Sequence, residues 1–176
     1  MTLETKLKIA IAAVSAAGNM AKTSGTARAD TVDSFVLGVA GGAGSRSWQS
    51  EADGHGSTTG YPIAVTVGFR INKHLAVVAD ARGLPFDRLR IHTEAVGLRA
   101  RATSWLSVQA GGGIISGTFV SDTRTFPSVL IAADARIAER DSFSVRLGLS
   151  YVKSITTEEY IKPSLVALTI GLWWND

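Results

Sequence analysis

Apolar residues recur at every second position along most of this chain. The clearest stretch is Tyr61-Pro62-Ile63-Ala64-Val65-Thr66-Val67-Gly68-Phe69-Arg70-Ile71, where odd positions are large and apolar and even positions small or polar. A helix would scatter these apolar groups round its axis, whereas a strand places them on one face. The run halts at Asn72-Lys73 and resumes at Leu75 to Arg82. The same alternation predicts an opening strand on Phe35, Leu37 and Val39. It predicts further strands on Leu89 to Ala95, Leu106 to Ala110, Val129 to Ile137, Phe143 to Tyr151 and Val166 to Trp174, eight in all.

The connections are sorted by length. Asn72-Lys73, Arg101 to Ser104 and Glu139 to Ser142 are short. Ser45 to Gly60, Ser121 to Phe126 and Lys153 to Lys162 read as longer hydrophilic loops, with Gly83 to Asp87 a short exception. Short turns at one end and long loops at the other describe an up-and-down meander through a bilayer. The expected fold is therefore all-β, an eight-stranded antiparallel up-and-down transmembrane barrel.

In a membrane barrel the apolar face meets lipid and the interior is polar. Here the face opposite the apolar one carries Arg70, Asp80, Arg82, Arg90, His92, Glu94, Asp134, Arg136 and Arg146, interspersed with Gly and Ala. Glycine weakens a solvated strand without a packing reason. Small residues beside long arginines suit the inside of a narrow cylinder. Folding about the turns sets Asp134 opposite Arg146 and Asp80 opposite Arg90, neutralising charges held away from water. These nine residues are the expected interior polar network. Eight strands leave a lumen that side chains fill, so a wide channel is not expected.

Charge separates the N-terminus from the rest. The formal net charge is +3, and it resides in the first 29 residues, with Lys6, Lys8, Lys22 and Arg28 against Glu4. Those residues read as an export signal: a basic start, an apolar core from Ile9 to Ala17, and small residues Ala27 and Ala29 flanking a cut before Asp30. The organisation expected is a leader over 1–29 and a barrel over 30–176. The remaining chain is neutral, which argues against nucleic-acid binding. With no Cys, a disulfide scaffold and a Cys-based metal or redox site are excluded. Nothing approaches the length of apolar run that a membrane helix needs.

With this leader, strand count, loop asymmetry and alternation, the chain from about Asp30 to Trp174 resembles the small outer-membrane β-barrel proteins of Gram-negative bacteria, of the OmpA membrane-domain and OmpX type. The stretches carrying the likeness are Tyr61 to Ile71 with its Asn72-Lys73 turn, and Trp105-Leu106-Ser107-Val108-Gln109-Ala110-Gly111-Gly112-Gly113. The resemblance implies an outer-membrane location and a structural, adhesive or envelope-stabilising role. A few members of the class are lipid A-modifying enzymes. Such barrels usually finish on an aromatic residue, whereas this chain ends Trp173-Trp174-Asn175-Asp176.

Candidate chemistry lies at the long-loop end. Trp48, His55 and Tyr160 are the expected surface-binding residues, because aromatic groups are enriched at interface hot spots. Arg46, Arg88, Arg124 and Lys162 are placed to meet anionic lipopolysaccharide head groups. No cofactor or metal is expected: His55 with Glu51 and Asp53 matches no known metal loop. The lipid A deacylases of the resembled class place a His and a Ser close together on one strand, and no such pair is found here, so catalysis is not expected. The expected partners are outer-membrane lipid and lipopolysaccharide, with an extracellular partner at the loops, and the barrel is expected as a monomer. Two alternatives stand beside this reading: a soluble periplasmic β-barrel holding a small apolar ligand, and a lipid A-modifying enzyme.

Overall fold

The computed structural model describes residues 35–50, 54–83, 91–119, 122–141, 143–156 and 162–174. The expected leader, residues 1–29, lies outside them. In chain order the strands are β1 (Phe35–Ser50), β2 (Gly54–Gly60), β3 (Ile63–Asn72), β4 (Leu75–Gly83), β5 (Ile91–Arg101), β6 (Leu106–Phe119), β7 (Asp122–Arg140), β8 (Phe143–Ser154) and β9 (Ser164–Trp174). Neighbours in sequence pair antiparallel from β3 to β9, and β9 pairs back onto β1 from Leu37↔Trp174 to Ser47↔Ser164. The sheet is thus closed. β2 and β3 are two parts of the second barrel strand, interrupted at Tyr61-Pro62. Proline has no N–H for a ladder, but its carbonyl still accepts a bond from the Gly42 amide at 3.2 Å. The barrel has eight strands.

The short turns form where the sequence places special chemistry. Asn72 accepts the His74 amide on its Oδ1 at 2.8 Å, closing the β3–β4 turn. Thr103 Oγ1 accepts the Leu106 amide at 3.0 Å before β6. Asp141, after β7, takes a φ of 49°, a left-handed conformation that Asp tolerates better than most residues.

Two expected loops are largely strand. β1 and β2 form a ladder from Gly44↔Gly60 to Ser50↔Gly54, and β6 and β7 pair as far as Phe119↔Asp122. The 16 residues of β1 and 19 of β7 exceed the 9–11 that cross a bilayer, so both hairpins rise beyond the apolar belt. Their Gly, Ser and Thr content hides the strand signal, because several of their buried positions hold small or polar residues such as Arg46 and Ser116 instead of a regular apolar row.

Apolar residues cover the outside. Val65, Val96, Leu98, Ile131, Leu149, Leu168 and Ile170 are all exposed, while their chain neighbours Ala64, Thr66, Ala95, Arg99, Ala132, Ser150, Ala167 and Thr169 are buried. One strand runs in the opposite phase to that expected. On β5, Ile91, Thr93 and Ala95 point inward, Glu94 is exposed and His92 half-buried. The stretch Val96-Gly97-Leu98-Arg99 decides it: placing Val96 and Leu98 against lipid and Arg99 in the lumen carries His92 and Glu94 outward. His92 and Glu94 therefore leave the interior network.

Nitroxide labels test the polarity of the wall. A label on Val65→Cys, where the native residue is 40% exposed, is expected to collide readily with oxygen dissolved in lipid. One on Thr66→Cys, where exposure is 2%, is expected to be shielded from it. Equal accessibility at the two sites would contradict the outward apolar face.

Candidate functional site

The lumen is layered. Toward the long-loop end, Ile91, Ala95, Ile115, Phe126, Leu130, Ala132, Val152 and Leu165 form one apolar cluster. Toward the short-turn end, Val36, Ala76, Val78 and Trp173 form another. Between them lies a polar tier whose charged members are buried and paired. A charge removed from water is tolerated only with partners that replace its hydration, and this tier supplies them.

Asp134, on β7, anchors the larger cluster. Arg99 of β5 grips it through two bonds, Nη1 to Oδ2 at 2.6 Å and Nη2 to Oδ1 at 2.7 Å. This bidentate geometry matches a planar guanidinium to a carboxylate. Arg146 of β8 donates from Nη1 to Asp134 Oδ1 at 2.9 Å, to Ser107 Oγ at 2.9 Å, and from Nε to Ser144 Oγ at 3.2 Å. The Arg99 guanidinium also stacks on the Trp173 ring, 3.9 Å from its centroid. Trp173 fits because residue 38 is glycine: a Cβ there would lie 2.7 Å from the indole.

A second cluster forms between β3 and β4. Asp80 accepts Arg82 Nε at 2.5 Å, Arg82 Nη2 at 3.0 Å and the Thr66 hydroxyl at 2.7 Å. Thr66 faces Asp80 across the ladder, whereas Arg82 is two residues along the same strand.

The expected network residues are thus distributed unevenly. Asp80, Arg82, Asp134 and Arg146 are buried in the polar tier. Asp134 faces Gly148 rather than Arg146 in the ladder, and Arg146 reaches it diagonally. The register slips at the bulge between Arg136 and Ala138, which simple folding about the turn does not anticipate. Arg136 stays half-buried by the short turns, bonded to the Ser104 carbonyl and to Glu139. Arg70 is half-buried at the end of β3. Arg90 lies outside the described residues. Arg99 and Gln109 are interior residues outside the nine expected for the network. Gln109 alternates with Val108 and Ala110 and was legible as inward. Arg99 was hidden by the reversed phase of β5.

At the long-loop end, Arg46 is 1% exposed, with its guanidinium 5.6 Å from the Trp48 ring. This corrects its placement as a lipopolysaccharide contact: Arg46 lies at an inward position, beside Leu165 and Thr58 in the ladders. Trp48 is half-buried, seated over Gly56, where a Cβ would come within 2.1 Å of the indole. Arg124 and Lys162 are exposed. Arg88, Tyr160 and the side chain of His55 lie outside the described residues. Among the described residues no three of His, Asp and Glu converge as a metal-binding group.

No family model matches the chain, and no curated protein sequence matches it. Solved structures do. Neisserial surface protein A superposes with a TM-score of 0.57 at 14% identity, covering 81% of this chain and 97% of that one. Ail, the attachment invasion locus protein of Yersinia pestis, superposes with a TM-score of 0.53 at 12% identity, covering 80% and 99%. At such identity the likeness is one of fold: this chain has the architecture of the small eight-stranded outer-membrane β-barrels.

Removing one member of a buried ion cluster leaves its partners charged and unpaired. Asp134→Ala is expected to destabilise the barrel by about 3–5 kcal/mol. Thr66→Val, which strips one bond from a buried carboxylate, is expected to cost about 1.5–3 kcal/mol. Glu94→Gln is expected to stay within about 0.5 kcal/mol. Urea unfolding of the barrel in lipid vesicles, followed by Trp fluorescence, measures all three.

Proposed function

We propose that the chain is exported by its first 29 residues, inserts in the outer membrane of a Gram-negative cell, and serves there as a non-catalytic, non-conducting envelope protein with a surface-binding end. The layered lumen carries this reading. Two apolar clusters enclose the ion-paired tier, and the space lined by Arg82, Arg99, Asp134 and Arg146 measures about 30 Å³, on the order of one or two waters. An ion crossing the lumen would have to shed its hydration in the apolar layers and break the Asp134 cluster, each step costing several kcal/mol.

The projecting β1–β2 and β6–β7 hairpins support a binding role at the opposite end from the short turns. Neisserial surface protein A and the attachment protein Ail, which share the fold, are named for surface location and attachment. Trp48 lies in the β1–β2 hairpin with its ring beside Arg46, and His55 and Tyr160 belong with it by sequence position. Of the expected contacts, Arg124 and Lys162 are exposed and available to lipopolysaccharide phosphates. Arg88 belongs with them by sequence position.

Two measurements test the proposal. Planar bilayers containing the purified barrel are expected to show no steady ion conductance; porin-sized steps would overturn the sealed lumen. Replacing Arg124 and Lys162 with Gln is expected to weaken lipopolysaccharide binding about thirty-fold, by about 1 kcal/mol per cation removed. Unchanged affinity would remove the lipid contact. Material that stays soluble without detergent would defeat the membrane assignment itself.

A further inference from the structure

The outward side of β8, β9 and β1 changes character at one rung. On β8 the exposed aromatic Tyr151 is followed, toward the long-loop end, by the exposed Lys153. On β9 the exposed Leu168 and Val166 give way to Ser164, and on β1 Ala43 gives way to Ser45 and Ser47. Lys153 faces Ser164 in one ladder and Ser164 faces Ser47 in the next, so the three are partners across adjacent strands. The Ser154 amide donates to the Pro163 carbonyl at 3.0 Å, which continues the β8–β9 pairing beyond Ser164. Lys162 follows on the exposed side, diagonal to Lys153, at a spacing of about 7–8 Å. The hydroxyls of Ser47 and Ser164 are 2.8 Å apart. One donates to the other, and the accepting hydroxyl keeps its own hydrogen for a further acceptor.

We propose that Lys153, Lys162, Ser164 and Ser47 form a binding site for a phosphate of lipid A, the membrane-embedded part of lipopolysaccharide. The site deepens the proposed lipopolysaccharide contact, on which it rests, by adding Lys153 and the serine pair to Lys162. Two ammoniums flank a hydroxyl pair directly above an apolar wall. Acyl chains cover that wall in a bilayer, so an anion arriving at this rung has to belong to an amphiphile. The lysines supply charge, the remaining hydroxyl hydrogen serves a phosphate oxygen, and Tyr151, Val166 and Leu168 meet the acyl chains. An ammonium in water exchanges partners at little cost, so a nearby carboxylate competes with the phosphate without excluding it. Glycerophospholipid is the competing occupant. The long loops put this rung at the outer surface, the leaflet that lipopolysaccharide occupies.

Binding of lipid A to the full folded barrel in detergent, followed by native mass spectrometry, tests the site. Lys153→Gln and Lys162→Gln are each expected to weaken binding about fivefold. Replacing Ser47 and Ser164 together with Ala is expected to cost about as much, because it removes the hydroxyl donor. Arg140→Gln, at an exposed cation of the short-turn end, is expected to change nothing. Lipid A stripped of its phosphates is expected to bind weakly, and equally to the wild type and both lysine variants. Unchanged affinity in Lys153→Gln, with a wild type that binds lipid A, would overturn the site and leave the wider contact standing. An equal loss in Arg140→Gln would reduce the effect to net charge and overturn it too. Phosphatidylglycerol bound as tightly as lipid A would overturn the choice of ligand. A wild type that binds no lipid A would remove the contact and the site together.

Discussion

A wall whose outer side is apolar can exist in hydrocarbon only if no strand edge is left open, because lipid offers no partner for backbone N–H and C=O groups. The pairing of β9 with β1, from Leu37↔Trp174 to Ser47↔Ser164, is therefore the contact on which every other feature rests. Once the sheet closes, each strand has one side against lipid and one against a narrow lumen, and a single residue's slip would exchange them. The bulge between Arg136 and Ala138 and the break at Tyr61-Pro62 occur outside the stretch that carries the central ion cluster, where irregularity is least costly.

The lumen inverts the usual arrangement of a small domain only in part. Its middle is ionic, and an apolar cluster flanks it on either side, with Phe126, Leu130 and Val152 toward one end and Val36, Val78 and Trp173 toward the other. These layers flank the Asp134 cluster, whose charged groups are themselves buried. In a low dielectric the bidentate Arg99 contact is stronger than it would be in solvent, and each missing partner would also be more costly. Polar groups and apolar lids thus depend on one another.

Much of this was legible from alternation alone. The strands running from Ile63, Leu75, Val129, Phe143 and Val166 have one strongly apolar side, and their phase follows from it. β5 shows where the reasoning fails: Leu89-Arg90-Ile91-His92 alternates as cleanly as a lipid-facing segment, yet Ile91 belongs to an interior apolar layer. A strand that passes from lipid depth toward the water boundary carries two contradictory patterns, and only its lower half reveals the true phase. The hairpins were missed for a related reason. Along Gly54 to Gly60 and the residues facing it the inward positions hold Arg46, Trp48 and small or polar groups instead of a regular apolar row, so strand and loop compositions look alike. Arg46 illustrates the limit for sites: its nearness to a predicted rim suggested solvent, whereas inward parity on an extended β1 buries it.

The Arg99 side chain has a mechanical consequence. It leaves β5 and meets Trp173 on β9 and Asp134 on β7, so it ties together strands that are not neighbours in the sheet. Hydrogen-bonded ladders resist stretching along the circumference but bend easily, and a hollow tube of such ladders would flatten under sideways compression. A spoke across the bore opposes that ovalisation, so crowding by neighbouring proteins would press on a cylinder that holds its round cross-section.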